Sequence, residues 1–447
     1  MSLQDFTELA IRQCGKLGAD EAEAFAQKQR IIEVVLERGE LQSERVKFRH
    51  GIGIRLIKEK KLGFAFSSTL SKRGVLKTCG EAFSLARAST PNPDWFSLPT
   101  PTKLPGPPAG IFDKEVAALG GDEVLSLAVR AYDAVKEYDK RAVIDDGKFS
   151  SAVTEVAISN SHEINAAEKS TLLYCFMVCV AKECGEVSSM AFEYDVARTM
   201  KFSPEKIGRL AAEKAVASLR PKTTSPFVGQ VILDSLPAAE IVLSPVIASV
   251  NADNVQRRRS IWMGKLGERV ADPQLSVVDD GLLPSGIGSS SFDAEGVSRQ
   301  RTQVIAGGLL KGYLHNSFTA NKEGRSSTGN ASRPDYTAPP LICVSNFVVE
   351  PGKKKLEDII SEVEKGIIVR RFSGNVRPES GEFSGIAKQA SFIENGEVKY
   401  PLKETMISGN AFQALINIIE IGSEGRPTLL NAYVPPILLD KISIVSK

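Results

Sequence analysis

Residues 243–259 read LSPVIASVNADNVQRRR and follow a strand-like apolar run at Val231-Ile232-Leu233. Between the two, Asp234-Ser235-Leu236-Pro237 predicts the start of a helix, because a short oxygen-bearing side chain can cap a helix and proline is tolerated in its first turn. Apolar residues then recur at three- or four-residue steps, which indicates a helix packed against a core. They are Leu236, Ala239, Leu243, Ile247 and Val250. Residues 241–252 contain no His, Cys, Asp or Glu.

The composition is typical of a soluble globular protein, with 42% hydrophobic and 25% charged residues in a chain of 447. This length favours two or three domains. The formal net charge of +2 gives no concentrated basic footprint, so we expect no direct binding to nucleic acid. Basic clusters at 58–61, 257–259 and 353–355 are interpreted as solvated loop or helix faces.

The N-terminal residues MSLQDF lack the basic start and apolar core of a signal peptide. No run approaches the roughly 18 apolar residues of a spanning helix. We therefore expect a cytoplasmic protein without membrane contact. The six cysteines form no C-x-x-C pair, and the cluster of Cys175, Cys179 and Cys184 is interpreted as buried thiols.

The N-terminal part predicts helices lying on an antiparallel sheet. The predicted helices cover residues 3–16, 75–86, 122–138 and 203–219, and the predicted strands cover 21–26, 31–36, 51–57, 62–66, 149–158 and 170–181. The strands at 51–57 and 62–66 are expected to form a hairpin. Seven prolines between Pro91 and Pro108 exclude a helix or an interior strand there and predict an extended surface connection.

The pattern changes after Arg220–Pro226. Beyond Gly264 the chain is rich in glycine, with short β-like runs separated by turn signals such as Asp279-Asp280-Gly281. The runs lie at 275–278, 303–305, 341–349, 366–372, 390–393, 406–408 and 437–443. Such a pattern predicts a mostly-β barrel or sandwich. The predicted fold class is α+β, with an N-terminal α+β domain over 1–222, which includes the proline-rich connection 91–108, and a C-terminal mostly-β domain over 223–447.

Few residues could carry catalysis unaided. Histidine is the commonest metal ligand and general base, yet the chain has only His50, His162 and His315, each interpreted as structural or superficial. The serine-rich stretch 288–291 is no G-x-S-x-G elbow and is interpreted as a flexible loop. Gly51-Ile52-Gly53 lacks the third glycine of a dinucleotide-binding motif. The residues themselves indicate no self-sufficient catalytic set.

Six phrases in the C-terminal half, in their order and spacing, resemble the TldD/PmbA family, once called modulators of DNA gyrase and now regarded as zinc-dependent peptidases. They are VVDDG (277–281), DAEG (293–296), GGLLKGY (307–313), STGN (327–330), SGNV with SGEF (373–376 and 380–383) and FIENGE (392–397). ERGE at 37–40 and GIGIR at 51–55 extend the resemblance over nearly the whole chain.

The catalytic TldD branch of this family carries H-E-x-x-x-H, followed by an acidic residue and an arginine pair, with a later cysteine as a further zinc ligand. When the arginine pair is laid on Arg257 and Arg258, Ser244 and Ser249 stand where the histidines would be, and Pro245 replaces the general-base glutamate. Serine is a poor zinc ligand, and proline cannot accept a proton from bound water. The resemblance therefore implies the TldE/PmbA branch, with no cofactor in this chain and zinc only in a TldD-type partner.

The spacing of that motif also has a geometric consequence. Side chains five positions apart on a regular α-helix point about 140° from each other, so the active branch requires a local distortion at the motif. This chain lacks the metal that would enforce such a distortion.

The resemblance implies a non-zinc-binding subunit that pairs with a TldD-type chain in a cytoplasmic metallopeptidase complex acting on peptides or unfolded polypeptides. An extended peptide would be held in an enclosed channel by strand addition. Arg257, Arg258, Tyr313, Asn330 and Arg333 are expected near the partner interface or channel, the alternative being structural roles for buried arginine and turn asparagine. Whether this chain is itself an enzyme stays open.

Three other functions also stay open at this stage. One is a stand-alone homodimer that binds peptide without cleaving it. A modulator of DNA topology is the second, and an independent hydrolase using Ser289 to Ser291 or a cysteine is the third.

Overall fold

The computed structural model describes residues 1–446 and confirms the α+β fold class. The helices are α1 (Leu3–Lys16), α2 (Lys72–Ala88), α3 (Lys114–Ala118), α4 (Gly121–Tyr138), α5 (Pro204–Ala217), α6 (Ser235–Ala238), α7 (Ser244–Val250), α8 (Ala252–Gln256), α9 (Ser317–Lys322), α10 (Leu356–Ser361) and α11 (Ala411–Ile416). A π-helical turn, Ala239–Leu243, joins α6 to α7.

The strands in the N-terminal half are β1 (Glu21–Glu37), β2 (Glu40–Lys58), β3 (Lys61–Ser67), β4 (Ala142–Asn160), β5 (Asn165–Glu183), β6 (Glu186–Val187) and β7 (Ala191–Ala197). Those in the C-terminal half are β8 (Phe227–Leu233), β9 (Val277–Asp280), β10 (Arg301–Ala306), β11 (Leu309–Leu310), β12 (Ala331–Ser332), β13 (Leu341–Ile342), β14 (Phe347–Val349), β15 (Lys365–Val376), β16 (Glu382–Glu394), β17 (Glu397–Pro401), β18 (Thr405–Asn410), β19 (Ile418–Ile421), β20 (Arg426–Pro427), β21 (Ala432–Val434) and β22 (Ile437–Ser446).

The N-terminal strands form one antiparallel sheet in the order β3-β2-β1-β4-β5, with β6 and β7 both pairing with β5. The predicted hairpin is β2 and β3. The prediction of separate strands at 21–26 and 31–36 was wrong, because β1 is continuous. Gln27–Arg30 contains no glycine or proline, so the polar segment continues the strand rather than breaking it.

The two faces of this sheet have different neighbours because successive side chains of a strand point to opposite sides. Even-numbered β1 residues face the helices: Ala24 packs with α1 and α2, and Val34 packs with α4 and α5. Odd-numbered Phe25 instead contacts the C-terminal half, in a cluster with Phe292 and Tyr336. Four helices thus cover one face, and the opposite face docks the rest of the chain.

Two glycines make this docking possible. A Cβ atom at Gly53 would overlap the backbone oxygen of Tyr336, and one at Gly51 would overlap the ring of the same tyrosine. The motif Gly51-Ile52-Gly53 therefore allows the Tyr336 segment to lie directly against β2, as glycine does where backbones approach closely.

Five C-terminal strands close into a barrel. β8 pairs with β15 in parallel, and the ring is completed by the antiparallel pairs β15–β16, β16–β18, β18–β22 and β22–β8. A second sheet has the order β11-β10-β9-β14-β21-β20. The predicted mostly-β barrel is confirmed, while the division of domains between residues 222 and 223 stays a prediction.

The segment from α6 to α7 belongs to the core of the C-terminal half. Ile241, Leu243 and Val246 are fully buried and share one apolar cluster with Leu233 of the barrel and Phe347 of the second sheet. Of the predicted apolar stripe, Ala239, Leu243 and Val250 are buried in this cluster, whereas Leu236 and Ile247 are only half-buried.

The proline-rich connection contains no helix or strand, as predicted. It does not lie wholly on the surface, however, because Trp95 and Leu98 are buried against Ile57. Large apolar side chains in an otherwise extended segment gain free energy from such burial. None of the helices in residues 1–446 combines the length and apolar character that a membrane span needs.

Candidate functional site

The helix predicted from residue 234 onward is interrupted before Ser244. The amide of Ser244 donates to the carbonyl of Ala239, five residues earlier, which is the hydrogen bond of a π-helix. Regular α-helix then runs from Ser244 to Val250, and Asn251 is extended. The active branch is expected to have a distorted helix at the metal motif itself. In this chain the distortion is the π-helical turn Ala239–Leu243, which directly precedes the corresponding positions.

Ser244 and Pro245 together account for this distortion. The carbonyl of Glu240 would normally accept a hydrogen bond from the amide of residue 244 or 245. The Ser244 amide instead donates to the Ala239 carbonyl, and Pro245 has no N–H, so neither residue provides a backbone donor. The Ser244 hydroxyl supplies the missing donor, with an Oγ–O distance of 2.6 Å to the Glu240 carbonyl. The serine compensates for what the proline removes.

We predict that Ser244→Ala lowers the free energy of unfolding by about 1 kcal/mol, since it leaves the Glu240 carbonyl without this donor. In a Pro245→Ala background the restored amide at 245 can serve that carbonyl, so the same serine substitution should cost less. A double-mutant cycle in urea measures the coupling. Equal costs in both backgrounds would contradict the compensation.

Glu240 itself is half-buried beside this turn. Burial raises the pKa of its carboxyl to about 7, although the nearby Arg371 guanidinium opposes the shift. Because the folded-state pKa lies above the ordinary value of 4.5, the folded protein binds the proton more tightly than the unfolded chain does. The stability contributed by the protonated form is therefore lost as pH rises from about 4.5 to 7.

Glu240→Gln should remove this dependence on pH. The free energy of unfolding of the variant, relative to the natural chain, should increase by about 1–2 kcal/mol between pH 5 and pH 8, after allowance for the partial exposure of the carboxyl. Urea unfolding at both pH values measures the difference. The same difference at pH 5 and pH 8 would show that the carboxyl is ionised throughout.

Ser249 occupies the other end of α7 and is buried. Its carbonyl accepts a hydrogen bond of 2.6 Å from the Ser260 hydroxyl, which also accepts the amide of Trp262. These bonds fix the loop that follows α8 against the end of α7.

The residues at the motif positions do not fit zinc. Ser244 donates its hydroxyl to a backbone carbonyl, Pro245 has no donor atom on its side chain, and Ser249 offers only a hydroxyl. Within residues 1–446, no group of three or more His, Cys, Asp or Glu side chains is arranged to hold a metal ion.

A cavity of about 460 Å³ opens near the end of α7, between the first sheet and the C-terminal half; we call it the Arg55 cavity. Its polar lining includes Arg55, Asn251, Asp253, Arg257 and Asn316. Asn251 and Asn316 cap α8 and α9 through their side-chain oxygens.

The rest of the cavity wall is mainly apolar. It includes Leu62, Trp95, Phe318, Pro340 and Leu341. The rings of Trp95 and Phe318 stack with centroids 6.2 Å apart, and the Arg55 guanidinium lies 5.7 Å from the centre of the Trp95 ring. A cavity with these walls and a few convergent polar groups is typical of a ligand site.

Beneath the cavity lies a buried network of four charged side chains. Glu23 lies directly opposite Arg55 on β1 and β2, and Arg55 Nη2 donates to Glu23 at 2.6 Å and to Glu295 at 3.0 Å. Arg333 also pairs with Glu23. Burial opposes ionisation of Glu23, but Arg333 and Arg55 hold the pKa of its carboxyl below the ordinary value. The network joins the first sheet to the C-terminal half.

Of the five residues predicted near a partner or channel, only Arg257 lines the Arg55 cavity, where its guanidinium pairs with Asp253. Arg258 is exposed in a turn with φ of +57°. Tyr313 and Asn330 are buried, the first donating to the Trp262 carbonyl and the second to Asp279. Arg333 belongs to the buried charged network. Contact of these five residues with a partner or a substrate stays a prediction.

Sequence reasoning assigned no role to Arg55, Trp95 or Phe318. A signal for Arg55 was present, because it is the one charged residue in the run Gly51–Ile57 of an otherwise apolar strand. Trp95 gave a weaker signal as a large aromatic residue in the proline-rich connection.

Comparison with known proteins identifies the class of fold. Three domains of the PmbA/TldA metallopeptidases match in order: domain 1 over residues 22–86, the central domain over 114–219 and the C-terminal domain over 228–446. The chain belongs to the PmbA/TldD family.

Individual relatives match over nearly their whole length. The metalloprotease PmbA of Escherichia coli O157:H7 is 26% identical, with 96% of this chain and 93% of that protein covered. TldE from Thermococcus kodakarensis is 26% identical with a TM-score of 0.93, covering 99% of this chain and 100% of that one. A putative modulator of DNA gyrase from Thermotoga maritima, at 24% identity, 99% and 100% coverage and a TM-score of 0.89, shows the shared fold.

Proposed function

We propose that this chain is the non-zinc-binding, TldE/PmbA-type subunit of a cytoplasmic metallopeptidase complex that cleaves peptides or unfolded polypeptides. A TldD-type partner would supply the zinc. The observation that supports the proposal is the chemistry at Ser244, Pro245 and Ser249, the positions where the resemblance places the metal motif of the active branch. None of the three side chains is a zinc ligand of the usual kind, and the Ser244 hydroxyl is bonded to the Glu240 carbonyl.

The structure also offers a means of holding an extended peptide. β13 pairs with β12 in a two-stranded sheet, and Leu341 and Ile342 of β13 line the Arg55 cavity. A peptide added alongside β13 could use backbone hydrogen bonds that depend little on its sequence. Such binding suits a complex that accepts many unfolded substrates.

Copurification tests the assignment. When this chain is expressed with an H-E-x-x-x-H homologue, size-exclusion chromatography should give a 1:1 complex, and the zinc measured by mass spectrometry should belong to the homologue. This chain purified alone should hold zinc far below one ion per chain.

Two results would overturn the proposal. One is stoichiometric zinc in this chain alone together with hydrolysis of unstructured peptides. The other is a homodimer that does not bind the homologue and that binds peptide without cleaving it, which would favour the stand-alone alternative.

A further inference from the structure

We propose that the Arg55 cavity binds the C-terminal carboxylate of a peptide, with the side chain of the terminal residue against the apolar wall. The inference rests on the proposed handling of peptides. It deepens that function by naming the part of the substrate that this chain holds.

The first support is an unused donor on a buried cation. Arg55 is 4% exposed, and both of its hydrogen bonds within residues 1–446 come from Nη2. Its Nε–H is buried without a partner. A buried donor left unpaired costs free energy. The Arg55 guanidinium lines the cavity, where a small shift of the side chain would let it donate a charge-assisted hydrogen bond to a carboxylate oxygen.

The charges around the cavity favour a singly charged ligand over a doubly charged one. Its charged lining residues are Arg55, Arg257 and Asp253. Glu23 and Glu295 lie on the other side of Arg55 and already pair with it. Arg55, Arg333 and Arg257 are matched by Glu23, Glu295 and Asp253, so the surroundings are neutral as a whole. The three carboxylates would repel a doubly charged phosphate more strongly than a singly charged carboxylate held against the Arg55 guanidinium.

The shape and chemistry of the wall supply the rest of a peptide site. Leu62, Phe318 and Pro340 can pack against an apolar terminal side chain, and β13 lies beside them. The volume of about 460 Å³ lies in the range of small-ligand pockets and can accommodate the end of a chain but no folded segment.

The test compares two N-acetylated, unstructured decapeptides that end in leucine, one with a free C-terminal carboxylate and one with a C-terminal amide. Calorimetric titration into the full-length chain should show the amide binding at least about tenfold more weakly. The chain has two tryptophans, so in a Trp262→Phe variant the fluorescence of Trp95 should change with the acid peptide and report binding at the cavity.

A matched pair of variants locates the site without disturbing the buried network. Leu341 is 64% exposed and lines the cavity, so Leu341→Glu should fold normally while placing a negative charge at the wall. It should weaken binding of the acid peptide at least about fivefold relative to Leu341→Gln, which has nearly the same size without the charge, because like charges repel in a partly desolvated site.

Three outcomes would overturn the inference. They are equal affinity for the acid and amide peptides, no binding of either, and full recovery of affinity when an internal glutamate is added to the amide peptide, which would assign the site to side-chain carboxylates. Formation of the 1:1 complex with an H-E-x-x-x-H homologue does not depend on any of them. Failure here with that complex intact would therefore leave the proposed function standing.

Discussion

Arg55→Met is expected to lower the free energy of unfolding by about 3–5 kcal/mol, measured by urea denaturation. The substitution keeps an unbranched side chain but removes the cation that pairs with Glu23 and Glu295, both of which are buried. Glu23 retains Arg333, whereas Glu295 loses the cation it pairs with among residues 1–446. An uncompensated buried carboxylate accounts for most of the expected loss.

Two companion variants separate charge burial from packing. Adding Glu295→Gln to Arg55→Met removes the unpaired charge and should recover at least about 1 kcal/mol. Arg257→Met breaks an exposed pair with Asp253 and should change stability by no more than about 1 kcal/mol. A cost for Arg55→Met as small as that for Arg257→Met would mean that the network is hydrated.

Gly53→Ala should destabilise the chain by about 2–3 kcal/mol, because its methyl group would overlap the backbone oxygen of Tyr336. That oxygen cannot rotate away as a flexible side chain would, so the Tyr336 segment has to move off β2. The shift would also disturb the docking of the two halves beside the Arg55 cavity. Urea denaturation measures the loss, and weaker peptide binding should accompany it.

Gly80→Ala is the matched control. Gly80 lies inside α2, and a Cβ atom there would meet nothing within 4 Å. Alanine favours helix over glycine, so this variant should be more stable by about 0.5–1 kcal/mol. The docking account fails if both substitutions shift stability in the same direction.

Much of the fold could be predicted because local patterns determine it. An apolar stripe predicts α1. The short β-like runs beyond residue 264 correspond to strands of the barrel and the second sheet, except that the run at 341–349 is divided into β13 and β14, which lie in different sheets. The missed continuity of β1 has a local cause as well. The four polar residues Gln27–Arg30 interrupt the apolar pattern, but they include no glycine or proline that would end the strand.

The candidate site was harder to predict because distant segments build it. Arg55, Trp95, Asn251 and Phe318 come from four separate parts of the chain, and only the register of β1 with β2 and the docking of both halves bring them together. The π-helical turn was missed for a different reason. It depends on which carbonyl Ser244 serves once Pro245 has removed an amide, which apolar periodicity does not reveal.

Hydrolysis of an unstructured peptide by this chain alone, by an H-E-x-x-x-H homologue alone and by their purified 1:1 complex tests the central claim most directly. All three samples should be dialysed against zinc and assayed at equal concentrations of chain. We predict cleavage by the complex and none by this chain alone, with the homologue alone much slower than the complex. Cleavage by this chain alone, or a homologue equally active without it, would contradict the account.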